Sequence, residues 1–185
     1  MHISKPVGVL ALQGAVSEQI AALEAADCRG IAVKRPEELE NLSGLIIPGG
    51  ESTTIGKLLE RYGFLPAIRE FAENKPILGT CAGMVLLAQN GLLKLMDICV
   101  KRNAFGRQRE SFEAGLHIRG WDDSYPAVFI RAPYIEWAGP GVEILAEVDG
   151  HPVLARQGHL LACAFHPELT EDSRLLSRFF VPLLP

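Results

Sequence analysis

The sequence predicts an α/β fold: a doubly wound, mostly parallel sheet with helices on both faces and antiparallel additions. In the first half of the 185-residue chain, short apolar runs alternate with segments of helical period, which is typical of right-handed βαβ units. In the second half, apolar runs follow one another with few helical segments between them. This pattern favours antiparallel strands and the last strands of the core. The length suits a single domain spanning residues 1–185.

The elements of the first half are bounded by glycine, proline and polar turn residues. Apolar runs predict strands at residues 7–12, 31–33, 45–47 and 76–80. Apolar residues recurring with a period of 3.6 predict helices at 17–26, 53–62, 66–73 and 82–89. Helices between the first and second strands and between the third and fourth strands favour parallel pairing.

The second half is expected to contain strands within 92–100, 116–118, 128–130, 142–148 and 153–165. Between the first two of these, residues 101–115 look like an exposed connection. A closing helix is predicted over 172–180, with Asp172 or Thr170 as its N-cap.

Composition argues against several classes of partner. The net charge of −4 gives no electrostatic reason to expect nucleic-acid binding, and no run approaches the ~18 apolar residues of a membrane span. The N-terminus lacks the features of a signal peptide. The four cysteines are scattered without ligand spacing, so neither a zinc site nor a disulfide framework is indicated. We expect a cytoplasmic protein.

Cys81 is the cysteine whose surroundings predict chemistry. Residues 79–83, Gly-Thr-Cys-Ala-Gly, lie between a predicted strand and a predicted helix, as in a nucleophile elbow. At a helix N-terminus the macrodipole and free N–H groups favour the thiolate, which is the attacking species. The N–H of Ala82 can then serve as an oxyanion donor. The alternative is a buried structural cysteine beside two packing glycines.

A histidine and a glutamate follow the last predicted core strand. On an extended chain, His166 and Glu168 would point to the same side, and Pro167 suits an extended backbone. A glutamate that accepts the histidine N–H fixes its tautomer and stabilises the imidazolium. Because open α/β sheets carry their sites at the carboxyl ends of strands, we expect this pair near Cys81. The alternative is that Glu168 lies next to His166 by chance and has no role in catalysis.

Residues 48–53, Pro-Gly-Gly-Glu-Ser-Thr, form a second strand-turn-helix junction. The glycines let the backbone approach a ligand closely, and Gly50 can supply a second oxyanion N–H. The spacing matches no phosphate-binding signature, and Ser52 or Thr53 is expected to cap the helix. Arg107 and Arg131 are candidates for a bidentate grip on a substrate carboxylate, with ordinary surface arginines as the alternative.

These motifs resemble those of the class I (triad) glutamine amidotransferases, which have a flavodoxin-like fold, and within them the glutaminase subunits of pyridoxal 5′-phosphate synthase. The resemblance to the class rests on residues 79–83 and 166–168. The narrower resemblance rests on five blocks: LALQGA at 10–15, PGGEST at 48–53, NAFGRQ at 103–108, FIRAP at 129–133 and AFHPEL at 164–169. It covers essentially the whole chain.

The resemblance implies hydrolysis of L-glutamine to L-glutamate and ammonia through a Cys81 thioester, with His166 as general base and acid and Glu168 as its orienter. It implies oxyanion stabilisation by Gly50 and Ala82, and a position for Gln13 at the boundary with a synthase subunit that uses the ammonia for vitamin B6 biosynthesis. No metal or organic cofactor is implied. The implied glutamine site consists of Gly50, Glu51, Ser52, Arg107, Ile130 and Arg131.

One position departs from the family pattern, which more often has a histidine where this chain has Gln19; we interpret this position as partner surface. Two other functions remain open. One is the glutaminase subunit of another amidotransferase, such as imidazole glycerol phosphate synthase. The other is a non-catalytic redox or binding module with a reactive Cys81, although an intact cysteine, histidine and glutamate set favours an enzyme.

Overall fold

The structure, a computed structural model, describes residues 6–106 and 110–185. Its strands are β1 (Val7–Leu10), β2 (Gly30–Val33), β3 (Gly44–Ile47), β4 (Ile77–Thr80), β5 (Ile98–Lys101), β6 (Ser111–Leu116), β7 (Tyr125–Ile130), β8 (Tyr134–Ala138), β9 (Glu143–Val148), β10 (His151–Gln157) and β11 (Leu160–Cys163). Its α-helices are α1 (Val16–Ala25), α2 (Ser52–Arg61), α3 (Phe64–Ala72) and α4 (Ala82–Leu87). The described residues also contain three 3₁₀ helices, Pro36–Asn41 before β3 and Pro167–Leu169 and Val181–Leu183 after β11.

Seven strands form the central sheet, in the order β2-β1-β3-β4-β11-β10-β9. From β2 to β11 every neighbouring pair is parallel, whereas β10 runs antiparallel to both β11 and β9. The remaining strands pair as two small sheets, β5 with β8 and β6 with β7. The predicted fold class, a mostly parallel sheet with antiparallel additions, is confirmed. The first five positions have the flavodoxin-like order 2-1-3-4-5.

The direction of the strand connections places the helices on the two faces of the sheet. The chain moves outward from β1 to β2, and in the opposite direction from β3 to β4. Since crossovers between parallel strands are right-handed, α1 lies on one face and α2 and α3 lie on the other. Helix α4 packs against α2 on this second face. All four residues in each of β1, β3, β4 and β11 are buried, as expected for strands covered on both sides.

The elements of the first half begin and end close to their predicted bounds, but the second half differs in three places. Strand β6 lies in the segment predicted to be an exposed connection except for its last residue, Leu116, which was predicted as strand. Strand β8 was not predicted at all. Strand β6 gains its buried surface from its neighbour, because Phe112 stacks on Phe129 of β7. The predicted closing helix includes a π-helical turn over Leu176–Phe180, and Pro182, which has no N–H, cannot continue regular helical hydrogen bonding.

Two glycines allow helix α4 to pack directly against the backbone of the sheet. A Cβ atom on Gly83 would lie 2.1 Å from the carbonyl oxygen of Ile47, and one on Gly79 would lie 2.6 Å from the carbonyl oxygen of Gly83. Between them, Cys81 has a φ of 50° and a ψ of −101°, a conformation that side-chain-bearing residues rarely adopt. The junction therefore holds Cys81 in a strained turn between strand and helix.

Replacement of Gly83 by alanine is expected to lower the free energy of unfolding by about 2–4 kcal/mol, because the added methyl group would overlap backbone inside the sheet. Urea denaturation measures this difference. Gly141→Ala is the matched control, since a Cβ atom there meets nothing within 4 Å, and a change within about 0.5 kcal/mol is expected for it. Equal effects of the two substitutions would contradict the packing argument.

No helix in the described ranges 6–106 and 110–185 is long and apolar enough to cross a membrane.

Candidate active site

The predicted site residues lie at the carboxyl edge of the central sheet, where four neighbouring strands end. Cys81 follows β4, and His166 comes shortly after β11. The turn that carries Gly50 follows β3, and Gln13 follows β1. Ligands of open α/β sheets bind at this edge, so the topology brings distant parts of the chain to one place.

A cavity of about 470 Å³ opens at this edge. Its lining comprises Gly50, Glu51, Ser52, Cys81, Ala82, Val85, Arg102, Asn103, Ile130, Arg131, Pro133 and His166. The structure thus brings together the predicted nucleophile, base, oxyanion donors and substrate-binding residues that it describes. Arg107 lies outside the described residues. A second cavity, of about 430 Å³, lies between the 3₁₀ helix Pro36–Asn41 and α3, and neither cysteine nor histidine lines it.

Cys81 sits at the N-terminal end of α4 and is 9% exposed. Its backbone N–H donates to the carbonyl oxygen of Cys163 at 2.8 Å, which fixes the turn against the neighbouring strand. Its sulfur lies 3.9 Å from the carbonyl oxygen of Ile130. Ala82 is the first residue of α4, and the first N–H groups of an α-helix have no partner within the helix. The N–H group of Ala82 therefore has no partner within the helix and can donate a hydrogen bond to an oxyanion.

His166 and Glu168 are in contact, as predicted: the Nδ1 atom of the imidazole lies 2.6 Å from Oε1 of the carboxylate. The predicted reason for this contact was wrong. Residues Pro167–Leu169 form a 3₁₀ turn rather than an extended segment, in which the N–H of Leu169 donates to the carbonyl oxygen of His166 at 3.1 Å. The turn folds the glutamate side chain back onto the ring. The side chain of Glu168 is completely buried.

The charge state of His166 follows from its two neighbours. Burial on its own lowers the pKa of His166, but interactions with Cys81 and with the Glu168 carboxylate raise it, and together they give a pKa of about 10. The Nε2 atom is buried and makes no hydrogen bond to any residue of the described ranges. The ring is thus held through Nδ1 and keeps Nε2 free for proton transfer.

Gln19 is completely buried, so its interpretation as partner surface was wrong. The face of α1 that contains Gln19 and Leu23 is buried, and α1 packs against the turn that carries Glu168. The amide nitrogen of Gln19 donates to Oε2 of Glu168 at 2.9 Å and to Oγ1 of Thr80 at 3.2 Å. The four-residue spacing from Gln19 to Leu23 was the available signal, since residues so spaced share a helix face.

Glu51 is the N-cap of α2, in place of the predicted Ser52 or Thr53. Its carboxylate accepts the N–H groups of Thr53 and Thr54, at 3.2 and 2.7 Å. The Ser52 hydroxyl instead accepts a hydrogen bond from Arg102, whose guanidinium also lies 3.7 Å from Glu51. Arg102 and its neighbour Asn103 also line the cavity. They were not predicted as site residues, because only the fold brings them to it.

Arg131 and Gln13 have different surroundings at this edge. Arg131 has a φ of 44° and an exposed side chain, and no carboxylate of the described residues pairs with its guanidinium. It is therefore available to a ligand carboxylate. Gln13 is exposed, and its Oε1 atom accepts the N–H of Glu51 at 2.8 Å. This bond ties the loop after β1 to the turn that carries Gly50.

Among the residues that the structure describes, no three histidine, cysteine, aspartate or glutamate side chains are grouped so that they could hold a metal ion.

Comparisons with known proteins cover nearly the whole chain. The model of the SNO glutamine amidotransferase family matches residues 9–184. The chain is 57% identical over 180 residues to pyridoxal 5′-phosphate synthase subunit PdxT of Niallia circulans, covering 94% of this chain and 95% of that protein. It is 53% identical over 180 residues to the Geobacillus kaustophilus protein of the same name, covering 94% and 92%. A solved crystal structure of a glutamine amidotransferase matches with a TM-score of 0.89 and 48% identity, over 96% of this chain and 97% of that one. The chain belongs to the SNO glutamine amidotransferase family.

Proposed function

We propose that this chain is the glutaminase subunit of a pyridoxal 5′-phosphate synthase. It hydrolyses L-glutamine to L-glutamate and ammonia, and supplies the ammonia to the synthase subunit for vitamin B6 biosynthesis. The observation that carries the proposal is a cysteine, a histidine and a buried glutamate assembled at one cavity, in a chain whose relatives at 53% and 57% identity are pyridoxal 5′-phosphate synthase subunits. No relative described above supports imidazole glycerol phosphate synthase as the partner.

The reaction begins with the Cys81 thiolate, which attacks the side-chain carboxamide carbon of glutamine. The N–H groups of Gly50 and Ala82 stabilise the negative charge that develops on the carboxamide oxygen. The protonated His166 gives its Nε2 proton to the departing nitrogen, so that ammonia leaves and a glutamyl thioester remains. His166 then takes a proton from water, and attack of that water on the thioester releases glutamate and restores the thiolate.

Glu168 acts through the histidine. Its Oε1 atom accepts a hydrogen bond from the Nδ1–H group of His166, with Nδ1 and Oε1 2.6 Å apart. This bond stabilises the imidazolium that exists before the first proton transfer and after the second. The raised pKa of His166 agrees with an imidazole that is protonated before the reaction, so that the acid needed by the leaving nitrogen is already present.

Substrate recognition is assigned to the cavity wall. The exposed guanidinium of Arg131, which pairs with no described carboxylate, binds the α-carboxylate of glutamine, and Arg107 is proposed to assist it. Gly50, Glu51, Ser52 and Ile130 line the cavity beside it. Gln13 is proposed to lie at the boundary with the synthase subunit, because it is exposed and bonded to the turn that carries Gly50.

We also propose that the protein works in the cytoplasm. Its four cysteines are free thiols in the structure, which suits a reducing compartment.

Cys81→Ala is expected to abolish glutamate release from glutamine, because no other thiol lines the cavity among the residues that the structure describes. Glutamate is measured with and without the synthase subunit, and we expect the wild-type rate to rise when that subunit is present. Cys99→Ala, in β5 and away from the cavity, is the matched control and is expected to keep wild-type activity. Retained turnover in Cys81→Ala would contradict the mechanism, and equal wild-type rates with and without the synthase would contradict the coupling.

The stability contribution of the His166 proton is expected to depend on pH. Its pKa is raised from 6.5 to about 10 in the folded protein, so the contribution is fully present below pH 6.5 and is lost as the pH rises through about 10. The difference in Tm between the wild type and His166→Gln should therefore shrink between about pH 6 and about pH 10.5. Glu24→Gln, at an exposed position, is the control for any general effect of pH on Tm. A difference that stays constant over this window would show that the pKa is not raised.

A further inference from the structure

The buried carboxylate of Glu168 has a second partner besides the histidine. The side chain is completely buried, and two hydrogen bonds to it are found among the described residues. Nδ1 of His166 lies 2.6 Å from Oε1, and Nε2 of Gln19 lies 2.9 Å from Oε2. A buried carboxylate is stable as an anion only when donors surround it. Gln19 therefore donates one of the two hydrogen bonds observed to this charge.

The amide of Gln19 is arranged for donation. Its nitrogen reaches two oxygens at once, Oε2 of Glu168 and Oγ1 of Thr80. Its own oxygen is buried and accepts no hydrogen bond from the residues described. Turning the amide over would place that oxygen against the carboxylate, so the charge of Glu168 fixes the orientation. Leaving the buried oxygen of Gln19 without a donor costs free energy. The orientation nevertheless keeps the amide nitrogen bonded to both Glu168 and Thr80.

The position of this bridge in the fold connects three elements of the site. Gln19 lies on α1, Thr80 is the last residue of β4, and Glu168 lies in the 3₁₀ turn Pro167–Leu169. Thr80 directly precedes Cys81, and Glu168 contacts His166. One amide therefore links the strand that presents the nucleophile to the turn that orients the base, without itself lining the cavity.

We propose that Gln19 is a positioning residue for glutamine hydrolysis, whose amide N–H groups hold the Glu168 carboxylate against His166 and tie it to the strand that ends at Cys81. The inference rests on the proposed function and adds a residue to it. Gln19 does not touch the substrate cavity, so its effect on the reaction passes through Glu168.

Removal of the two N–H groups leaves Oε2 of Glu168 buried without a donor. The carboxylate is then no longer held against the imidazole, and His166 loses its orienter. The cavity wall is unchanged, so substrate binding is retained while both proton transfers slow down. Loss of one hydrogen bond to a charged group corresponds to a fall in kcat of about 10- to 100-fold, with KM nearly constant.

Two substitutions at this position separate donation from packing. Gln19→Met keeps the length of the side chain and removes both donors, whereas Gln19→His keeps a ring N–H. Glu24→Gln, at an exposed position on the same helix, is the matched control. Each variant is assayed for kcat and KM in the complex with the synthase subunit, and its Tm is measured in parallel. We expect a 10- to 100-fold lower kcat and an unchanged KM for Gln19→Met, recovery of most of this loss in Gln19→His, and no effect of Glu24→Gln.

A wild-type kcat in Gln19→Met, or an equal loss in the methionine and histidine variants, would overturn the inference. If Gln19→Met does not fold, Thr80→Val tests the same bridge from its other end. A lower kcat with constant KM in that variant supports the bridge, and an unchanged kcat contradicts it. The glutaminase activity of the wild type and its loss in Cys81→Ala are measured before the Gln19 variants are tested. A wild type without glutaminase activity would therefore refute the proposed function itself, whereas an active wild type with an unaffected Gln19→Met refutes only the inference.

Discussion

The contact between the backbone of α4 and the backbone of the sheet determines where the chemistry can occur. Because Gly79 and Gly83 carry no side chains, strand β4 can end and α4 can begin on either side of a single residue. That residue, Cys81, is consequently placed at the carboxyl edge of the sheet and next to free N–H groups of the helix. The parallel pairing of β4 with β11 then brings the segment that contains His166 to the same edge. Cys81 and His166 therefore line the same cavity.

A second constraint is electrostatic and concerns Glu168. A completely buried carboxylate has to be matched by donors, and here the donors come from two different elements, the imidazole of His166 and the amide of Gln19. Burial would favour a neutral histidine, yet the pKa of His166 is raised to about 10. The pair of charges is therefore stabilised jointly, and the acid–base properties of the site belong to the cluster rather than to one residue.

The sequence predicted the parallel half of the fold because its signals are local. Buried strands such as β3 and β4 are continuous apolar runs that end at glycine-containing turns, and a glycine-flanked cysteine at such a junction is recognisable without any knowledge of its neighbours. Strand β6 could not be recognised in this way. Its residues carry little strand character, and its buried surface exists only through pairing with β7, as the stacking of Phe112 on Phe129 shows.

Within the site, the predictions failed where one local pattern permits two structures. The φ angle imposed by Pro167 suits a 3₁₀ turn as well as an extended chain, so the contact between His166 and Glu168 was predicted from the wrong backbone. Gln19 was interpreted as partner surface, whereas the structure buries it. The spacing from Gln19 to Leu23 indicates a shared helix face, but the carboxylate that Gln19 meets in the folded protein is too distant in sequence to be predicted from that helix.

The position of β11 has a consequence for how the protein is made. Although β11 is the last strand of the chain, it occupies the interior of the sheet, between β4 and β10. During synthesis the nucleophile emerges from the ribosome long before its base, and one side of β4 remains an open edge until β11 arrives. Pairing between such distant parallel segments is slow, and an open edge can pair with other chains in the meantime. Closure of the sheet and the onset of catalytic competence are thus a single late folding event, and a chain that stops before residue 160 lacks an interior strand as well as its base.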